Sequence, residues 1–197
     1  MTKLNSVCVF CGSRNGRDPA YVSEAEILGR DLARAGVTLV FGGASIGIMG
    51  TVARATLAGG GKVLGVIPGF LKEIEVPLDG VNERILTKTM HERKKIMFDR
   101  SDAFVIMPGG TGTLDETFEV MTWRQLHQHA KPIIIADING YWQPFLALVR
   151  HCVDSGFAGR DVLSMLTVVK SAADILPAIE GALASRVDGQ AAHLEQI

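Results

Sequence analysis

The segment MPGGTGTLDE, residues 107–116, combines the composition of a phosphate-binding loop with two carboxylates. Glycine lets the backbone approach a ligand closely, and N–H groups at the start of a helix bind anions. A Walker motif has a lysine directly after its last glycine, and this loop has none. Asp115 and Glu116 follow the glycines instead. The combination predicts an anion site beside a carboxylate, although the glycine run alone is equally compatible with a structural turn.

Two more glycine-rich turns occur earlier in the chain, CGSRNG at 11–16 and GGASIGIMG at 42–50. We expect Ser13 and Gly43 in these turns to contact a ligand. Neither turn gives the dinucleotide pattern GxGxxG after the first strand, and the chain contains no GK[ST]. ATP hydrolysis and a standard NAD site are therefore disfavoured, while binding of a mononucleotide phosphate stays open.

The basic segment MHERKK, residues 90–95, begins a predicted helix. Positive side chains near a helix N-terminus oppose the helix dipole, so this cluster is unfavourable unless an anion or carboxylate faces it. The alternative is a solvated basic helix face. Arg93 and Glu116 lie on the two helices that flank one strand, so we expect them to meet at one edge of the sheet. Met90 is a further candidate ligand contact.

Apolar runs rich in β-branched residues alternate with stretches of helical period along the chain. The predicted strands are 6–10, 37–41, 62–68, 84–88, 103–108, 131–137 and 164–170. The predicted helices are 20–36, 51–60, 90–101, 113–127, 141–156 and 174–185. This alternation indicates an α/β protein with a parallel sheet covered by helices on both faces, in three layers. Ligands of such folds bind outside the carboxyl ends of the strands, where the glycine-rich turns lie.

The bulk composition of the chain is that of a single globular domain, with 197 residues and a hydrophobic share of 47%. We place this domain at 1–185 and a loose C-terminal tail at 186–197. The net charge of -1 gives no reason to expect nucleic acid or an anionic membrane as partner. No apolar run approaches the ~20 residues that span a bilayer, and the start lacks signal-peptide anatomy. We expect a cytoplasmic protein.

The three cysteines fit that compartment. Cys8 and Cys11 form a CxxC without a second CxxC or a nearby His pair, which disfavours a zinc site. Alternation along the strand directs the two side chains to opposite faces, so we expect small buried side chains. Cys152 lies on a predicted helix and is expected to pack there. We expect no metal site.

The pairing of MHERK with PGGTGTLDE resembles the LOG family, the cytokinin riboside 5′-monophosphate phosphoribohydrolases, many of which carry the label lysine decarboxylase. The likeness continues through CVFCGSRNG, GGASIGIMG, GVIPGFL, MTWRQL and DINGYWQPF and covers residues 5–157. It implies a Rossmann-like, doubly wound fold and a homodimer. It also implies hydrolysis of the N-glycosidic bond of a nucleoside 5′-monophosphate to a free base and ribose 5-phosphate, with no cofactor.

The resemblance implies roles for individual residues. Arg93 and Glu116 match the catalytic pair of the family, and Lys94 matches a substrate-binding position. The other substrate-binding positions match the loop residues Gly109, Gly110, Thr111, Gly112 and Thr113. A further family glutamate, which precedes the MHxRK motif, corresponds to Glu73, with Glu75 as the alternative.

The predicted helix 113–127 also contains a candidate substrate contact and a candidate dimer surface. Thr122, in MTW, is a candidate substrate contact. The apolar side chains of Met121, Trp123 and Leu126 offer a surface for the implied homodimer, and packing against the sheet explains them equally well.

A hydrolytic mechanism follows as a hypothesis. With the 5′-phosphate on the N–H groups of 110–113, the ribose lies over the next helical turn. There the carboxylate of Glu116 stabilises the positive charge of an oxocarbenium-like transition state and orients or deprotonates the attacking water. We expect Arg93 to bind substrate and to keep Glu116 ionised. Asp115 and His91 are candidates for protonating the leaving base.

Three other functions were weighed against this one. A non-catalytic nucleotide-binding or sensing module needs the glycine-rich loops but not both Arg93 and Glu116. A transferase acting on the same nucleotide core needs an acceptor. A pyridoxal-phosphate decarboxylase needs a Schiff-base lysine with a pyridinium partner, and nothing in the sequence suggests that set. The preferred base stays undecided, because it depends on the loops at 44–49 and 70–80.

Overall fold

The fold is built on a seven-stranded sheet in which all neighbouring strands are parallel. The computed structural model describes residues 3–73 and 76–194, with side chains for 3–71 and 76–185. The strands are β1 (Ser6–Phe10), β2 (Thr38–Phe41), β3 (Val63–Pro68), β4 (Glu83–Thr87), β5 (Ala103–Ile106), β6 (Ile133–Ala136) and β7 (Leu166–Val169). Their order across the sheet is β4-β3-β2-β1-β5-β6-β7.

The α-helices of the described residues cover both faces of this sheet. One face holds α1 (Ala20–Ala35), α2 (Gly47–Ala58) and α7 (Ile175–Leu194). The other face holds α3 (Met90–Asp99), α4 (Thr111–Gln125), α5 (Gln143–Asp154) and α6 (Asp161–Ser164). The prediction of a Rossmann-like, doubly wound parallel sheet in three layers is confirmed.

The central strands are apolar at every fully buried position, because both of their faces are covered. Val7 and Val9 of β1 pack in the core beneath α1, α2 and α7, whereas Cys8 packs in the core on the other face. Cys11 belongs to the first of these cores, so the two thiols of the CxxC lie on opposite faces as predicted. Burial raises the pKa of both thiols, which makes them packing groups rather than nucleophiles.

The strand order changes direction between β1 and β5. Strands β1 to β4 extend the sheet to one side, and β5 then returns to pair with the free edge of β1. The loops that follow these two strands diverge at such a switch point and leave a crevice between them. They are the glycine-rich segments 11–16 and 107–110, and they meet where the Gly12 N–H donates to the Pro108 carbonyl oxygen at 3.0 Å.

Several helix ends differ from those predicted. Helix α2 begins at Gly47 and α4 at Thr111, both within glycine-rich turns, which places Glu116 in the second turn of α4 instead of the first. The backbone of α7 continues past the predicted end at Ser185 to Leu194, through a segment that contains good helix formers such as alanine and glutamine. No helix in the described part of the chain is long and apolar enough to cross a membrane.

Candidate active site

A cavity of about 570 Å³ opens at the switch point between β1 and β5. Its wall is formed by the loop after β1, the starts of α2, α3 and α4, and residues near the start of α1 and before α5. The predicted site residues that line it are Ser13, Met90, Arg93, Gly109, Gly110, Thr111, Gly112, Thr113 and Glu116. Among the residues that the structure describes, no group of three or more His, Cys, Asp or Glu side chains is placed to hold a metal ion.

The start of α4 forms the wall best suited to an anion. Gly110 precedes the helix in an extended conformation, and no side chain caps the first turn. The first N–H groups of a helix have no partner inside it, and the helix dipole places about +0.5 charge there. Space is open around Gly110 and Gly112, where a Cβ would meet nothing within 4 Å. The first turn of α4 can therefore hold a phosphate on backbone N–H groups.

Two hydrogen bonds fix the loop that leads into α4. The Gly12 N–H donates to the Pro108 carbonyl oxygen at 3.0 Å, and the Tyr141 hydroxyl donates to the Gly109 carbonyl oxygen at 2.5 Å. In a trans peptide the N–H points away from the carbonyl of the same unit. These bonds therefore direct two carbonyl oxygens toward protein donors and the N–H groups of Gly109 and Gly110 the opposite way. A carbonyl oxygen that faced an anion would repel it.

Arg93, in the first turn of α3, is buried with 5% of its surface exposed. Its Nε donates to the Val66 carbonyl oxygen at 3.1 Å, and its Nη2 donates to the Gly42 carbonyl oxygen at 3.0 Å. The third nitrogen, Nη1, lies 3.8 Å from Sδ of Met90. These contacts anchor the guanidinium to the carboxyl ends of β2 and β3, so its position in the cavity wall is fixed before any ligand binds.

Glu116 lies on the same helix as the anion site and faces the same cavity. Burial raises the pKa of its carboxyl group to about 7. Arg93 and Lys94 lower this pKa, as opposite charges do, while the neighbouring carboxylates raise it further. The effect expected of Arg93, a lowering of the Glu116 pKa, is present, but the loss of hydration outweighs it and the net shift is upward.

Lys94 lies beside the cavity and does not line it. Its Nζ is 3.1 Å from Oδ2 of Asp115 and 3.2 Å from Oε1 of Glu119, which joins α3 to α4. Burial lowers the pKa of Lys94, but the hydrogen bonds to the two carboxylates outweigh burial, and the net shift is upward. The basic cluster on α3 therefore faces carboxylates, as the dipole argument requires. A substrate contact through Lys94 stays a prediction.

Two other predicted contacts do not line the cavity, and a third lies outside the described side chains. Gly43 has a φ of 86° and shapes the turn after β2. Thr122 is exposed on α4, where its hydroxyl donates at 2.7 Å to the carbonyl oxygen of the residue four positions earlier. The side chain of Glu73 and the whole of Glu75 lie outside the described residues.

The polar side chains around the anion site differ in their accessibility. Thr111 is exposed, whereas Thr113 is buried with 3% of its surface exposed. Of the two candidates for protonating the leaving base, Asp115 lines the cavity and His91 does not. Thr111 is therefore the more accessible of the two loop hydroxyls, and Asp115 is the better placed of the two acids.

Four polar or aromatic residues line the cavity that the motifs did not single out: Arg14, Asn15, Tyr21 and Tyr141. The rings of Tyr21 and Tyr141 meet edge to face, with centroids 5.3 Å apart. Arg14 and Asn15 belong to the glycine-rich turn CGSRNG, in which the sequence indicated Ser13 but not these two side chains. Tyr141 comes from the loop after β6, and only its place just beyond a strand end could have indicated it.

Comparison with known proteins places the chain among nucleotide hydrolases by sequence. A family model described as a possible lysine decarboxylase matches residues 49–179. The cytokinin riboside 5′-monophosphate phosphoribohydrolase of Oryza sativa subsp. japonica is 40% identical over 179 residues, which cover 91% of this chain and 74% of that protein. The enzyme of the same name from Rhodococcoides fascians is 42% identical over 181 residues, which cover 91% of this chain and 88% of that protein.

A solved structure gives the same fold at lower identity. The molybdenum cofactor carrier protein of Chlamydomonas reinhardtii matches with a TM-score of 0.71 and 22% identity, covering 92% of this chain and 99% of that one. This likeness shows the fold alone. The motifs, the family model and the sequence relatives agree, and the resemblance inferred from the motifs is confirmed: the chain belongs to the LOG family, the family of the cytokinin riboside 5′-monophosphate phosphoribohydrolases.

Proposed function

We propose that this protein hydrolyses the N-glycosidic bond of adenosine 5′-monophosphates, including cytokinin-type N6-modified ones, to a free base and ribose 5-phosphate. One observation carries the proposal: the uncapped start of α4 and the Glu116 carboxyl group face one cavity, five residues apart along one helix. At 1.5 Å per residue this separation is about 7 Å along the helix axis. The names of the sequence relatives support the same activity.

The reaction begins with the 5′-phosphate on the N–H groups of the first turn of α4, which places the ribose over the following turn. Departure of the base develops positive charge on the ribose, as in other oxocarbenium-like transition states. The ionised carboxylate of Glu116 stabilises that charge and orients or deprotonates the attacking water. Because phosphate binding is remote from the bond that breaks, its energy serves to position the ribose at the carboxylate.

Arg93 has a binding and positioning role in this scheme. Its anchored guanidinium lines the cavity close enough to lower the pKa of Glu116. Without this cation the pKa of Glu116 would rise further, and a smaller fraction of the enzyme would carry the active carboxylate at neutral pH. Loss of Arg93 is therefore expected to lower activity through both substrate binding and the ionisation of Glu116.

The label of lysine decarboxylase finds no support in the site. A Schiff-base lysine is activated by a lowered pKa. No lysine with a described side chain lines the cavity, and Lys94 beside it is held by two carboxylates with its pKa raised. We therefore do not propose decarboxylation, and the hydrolytic scheme requires neither a cofactor nor a metal.

We further propose that the protein acts as a homodimer. Phe118 and Leu126 of α4 are exposed at 39% and 61%, and with Thr122 between them they share one helix face. Met121 is buried and Trp123 packs edge to face on the Phe98 ring, so these two side chains belong to the fold. Light scattering of Leu126→Asp beside the unmodified protein tests the proposal, and an unchanged dimer mass would exclude this face.

A cytoplasmic location and a small-molecule partner complete the proposal. The three cysteines of the chain are free thiols, which suits a reducing compartment. The net charge of -1 gives no basis for a nucleic-acid partner.

The test is a product assay with AMP and isopentenyladenosine monophosphate, followed by chromatography for free base and ribose 5-phosphate. We expect both products in equal amounts, with no dependence on added phosphate or acceptor. Tight binding of AMP that is later released unchanged would favour the sensing module. Turnover that requires phosphate or an acceptor would favour a transferase.

A further inference from the structure

Among the described side chains, four charged ones line the cavity: Arg14, Arg93, Asp115 and Glu116. Arg93 is anchored to two backbone carbonyls, and Asp115 is paired with Lys94. Arg14 is exposed, and within the described part of the chain no ion pair or hydrogen bond engages its guanidinium. Its donors are free for a ligand.

The backbone that carries Arg14 is held firmly beside the anion site. The Gly12 N–H donates to the Pro108 carbonyl oxygen at 3.0 Å, and the Gly12 carbonyl oxygen accepts from the Met49 N–H at 3.2 Å. The loop after β1 is thus fixed between the phosphate loop and the start of α2. Arg14 follows two residues later and reaches the same cavity as the first turn of α4.

The charges in the cavity favour a second cation beside Arg93. A phosphate monoester carries about −1.5 to −2 charge at pH 7, and a helix N-terminus offers about +0.5. The glycine-rich loop supplies no lysine, and the carboxyl groups of Asp115 and Glu116 face the same space. The planar guanidinium of arginine binds phosphate oxygens in pairs, through two parallel hydrogen bonds.

We propose that Arg14 binds the 5′-phosphate of the substrate and supplies the positive charge that the glycine-rich loop lacks. This inference rests on the proposed function, since it assigns a further binding residue to the same site. Arg14 selects phosphate monoesters over uncharged nucleosides, and it reaches the phosphate from the loop after β1, whereas a Walker lysine comes from the helix start.

The test compares Arg14→Ala and Arg14→Lys with Arg17→Ala, a matched control because Arg17 is exposed nearby and lies outside the cavity wall. For AMP hydrolysis, Arg14→Ala is expected to raise KM about tenfold to a hundredfold, the range for a charge-assisted hydrogen bond, with a smaller change in kcat. Arg14→Lys should recover part of this loss, and Arg17→Ala should match the unmodified protein.

A second measurement separates this inference from the proposed function. Calorimetry in a Glu116→Gln background measures the affinities for AMP and adenosine without turnover. In this background Arg14→Ala should lower the affinity for AMP by the factor expected for KM and leave the affinity for adenosine unchanged. If the unmodified protein binds AMP but never releases base, the proposed function fails, and the affinities still test Arg14. If it hydrolyses AMP while Arg14→Ala and Arg17→Ala share one KM and one affinity, the role of Arg14 is wrong. Equal loss of AMP and adenosine affinity, or no AMP binding by the unmodified protein, also overturns it.

Discussion

The guanidinium of Arg93 occupies the space that a side chain on Gly42 would need. Its Nη2 donates to the Gly42 carbonyl oxygen at 3.0 Å, and a Cβ added to Gly42 would lie 2.0 Å from that nitrogen. The first glycine of GGASIGIMG thus leaves room for the Arg93 guanidinium. This contact joins two segments of the family likeness, GGASIGIMG after β2 and MHERK at the start of α3.

Substitution of Gly42 by alanine is therefore expected to displace the Arg93 guanidinium. A misplacement of about 1 Å in a catalytic site costs roughly a hundredfold in rate, so kcat/KM for AMP should fall by about that factor. Gly181→Ala is the matched control, because a Cβ there meets nothing within 4 Å. Equal activity of the two variants would show that the contact between Arg93 and Gly42 does not support catalysis.

The pH dependence of the reaction should report the ionisation of Glu116. Its pKa is raised to about 7, and the scheme uses the carboxylate form. We expect kcat/KM to rise as the pH increases through about 7 and to fall about tenfold per unit well below it. The phosphate of free AMP also ionises, with a pKa of about 6. The pH profile of kcat at saturating AMP does not depend on that ionisation and should therefore be measured alongside. Activity that falls as the pH passes upward through 7 would contradict the role of a carboxylate.

Substitution of the charged neighbours of Glu116 tests whether the pKa seen in the pH profile belongs to this residue. Lys94 lowers the pKa of Glu116, and Asp115 raises it. Lys94→Met should therefore move the apparent pKa of the profile upward, and Asp115→Asn should move it downward. Each shift is expected to be a few tenths of a unit to one unit at low salt, and smaller at high salt because exposed charges are screened. Shifts of the same sign in both variants would mean that another group titrates.

Ionisation of Glu116 should also affect the stability of the fold. It supports activity but lowers the free energy of unfolding. The folded pKa of Glu116 lies above its ordinary value of 4.5, so the folded state binds more protons between these values, and stability falls as the pH rises from about 4.5 to about 7. The shift corresponds to about 3 kcal/mol at most. Glu116→Gln should raise the melting temperature at pH 8 and have a smaller effect at pH 5, measured by thermal denaturation. An equal change at both pH values would exclude an ionised, desolvated carboxylate.

Much of the fold could be predicted because its strands are buried on both faces and its turns are rich in glycine. The continuous apolar runs predicted the bounds of β1, β5 and β6 to within two residues. The four-residue helix α6 was not predicted, since a single turn leaves no clear periodicity. The start of α4 was placed two residues late, because a helix that begins at threonine and glycine lacks the usual capping signal.

The site was predictable where a motif is local and not where residues from distant segments meet. Glu116 and the phosphate loop follow one another in the chain, and their spacing was readable. Tyr141 is 32 residues from Gly109, and its hydrogen bond arises only from the packing of the loops after β5 and β6. The ion pairs of Lys94 with Asp115 and Glu119 likewise join two helices, and the sequence did not indicate them.

The raised pKa of Glu116 is a property of the assembled site. A nearby arginine predicts a lowered pKa, but how far the carboxyl group loses contact with water cannot be read from residue types and spacing. The net shift depends on the packing of α4 against the sheet and on the loop after β1, which together close the cavity around it.

The most direct test of the central claim is single-turnover release of free base from AMP by the unmodified protein and by Glu116→Gln, with AMP affinity measured in parallel. We predict that Glu116→Gln still binds AMP with affinity near that of the unmodified protein. Its release of adenine should be slower by a factor of about a thousand or more, in the range for loss of a catalytic carboxylate. Release at an undiminished rate by a folded Glu116→Gln variant would contradict the assignment of Glu116 as the group that acts on the glycosidic bond.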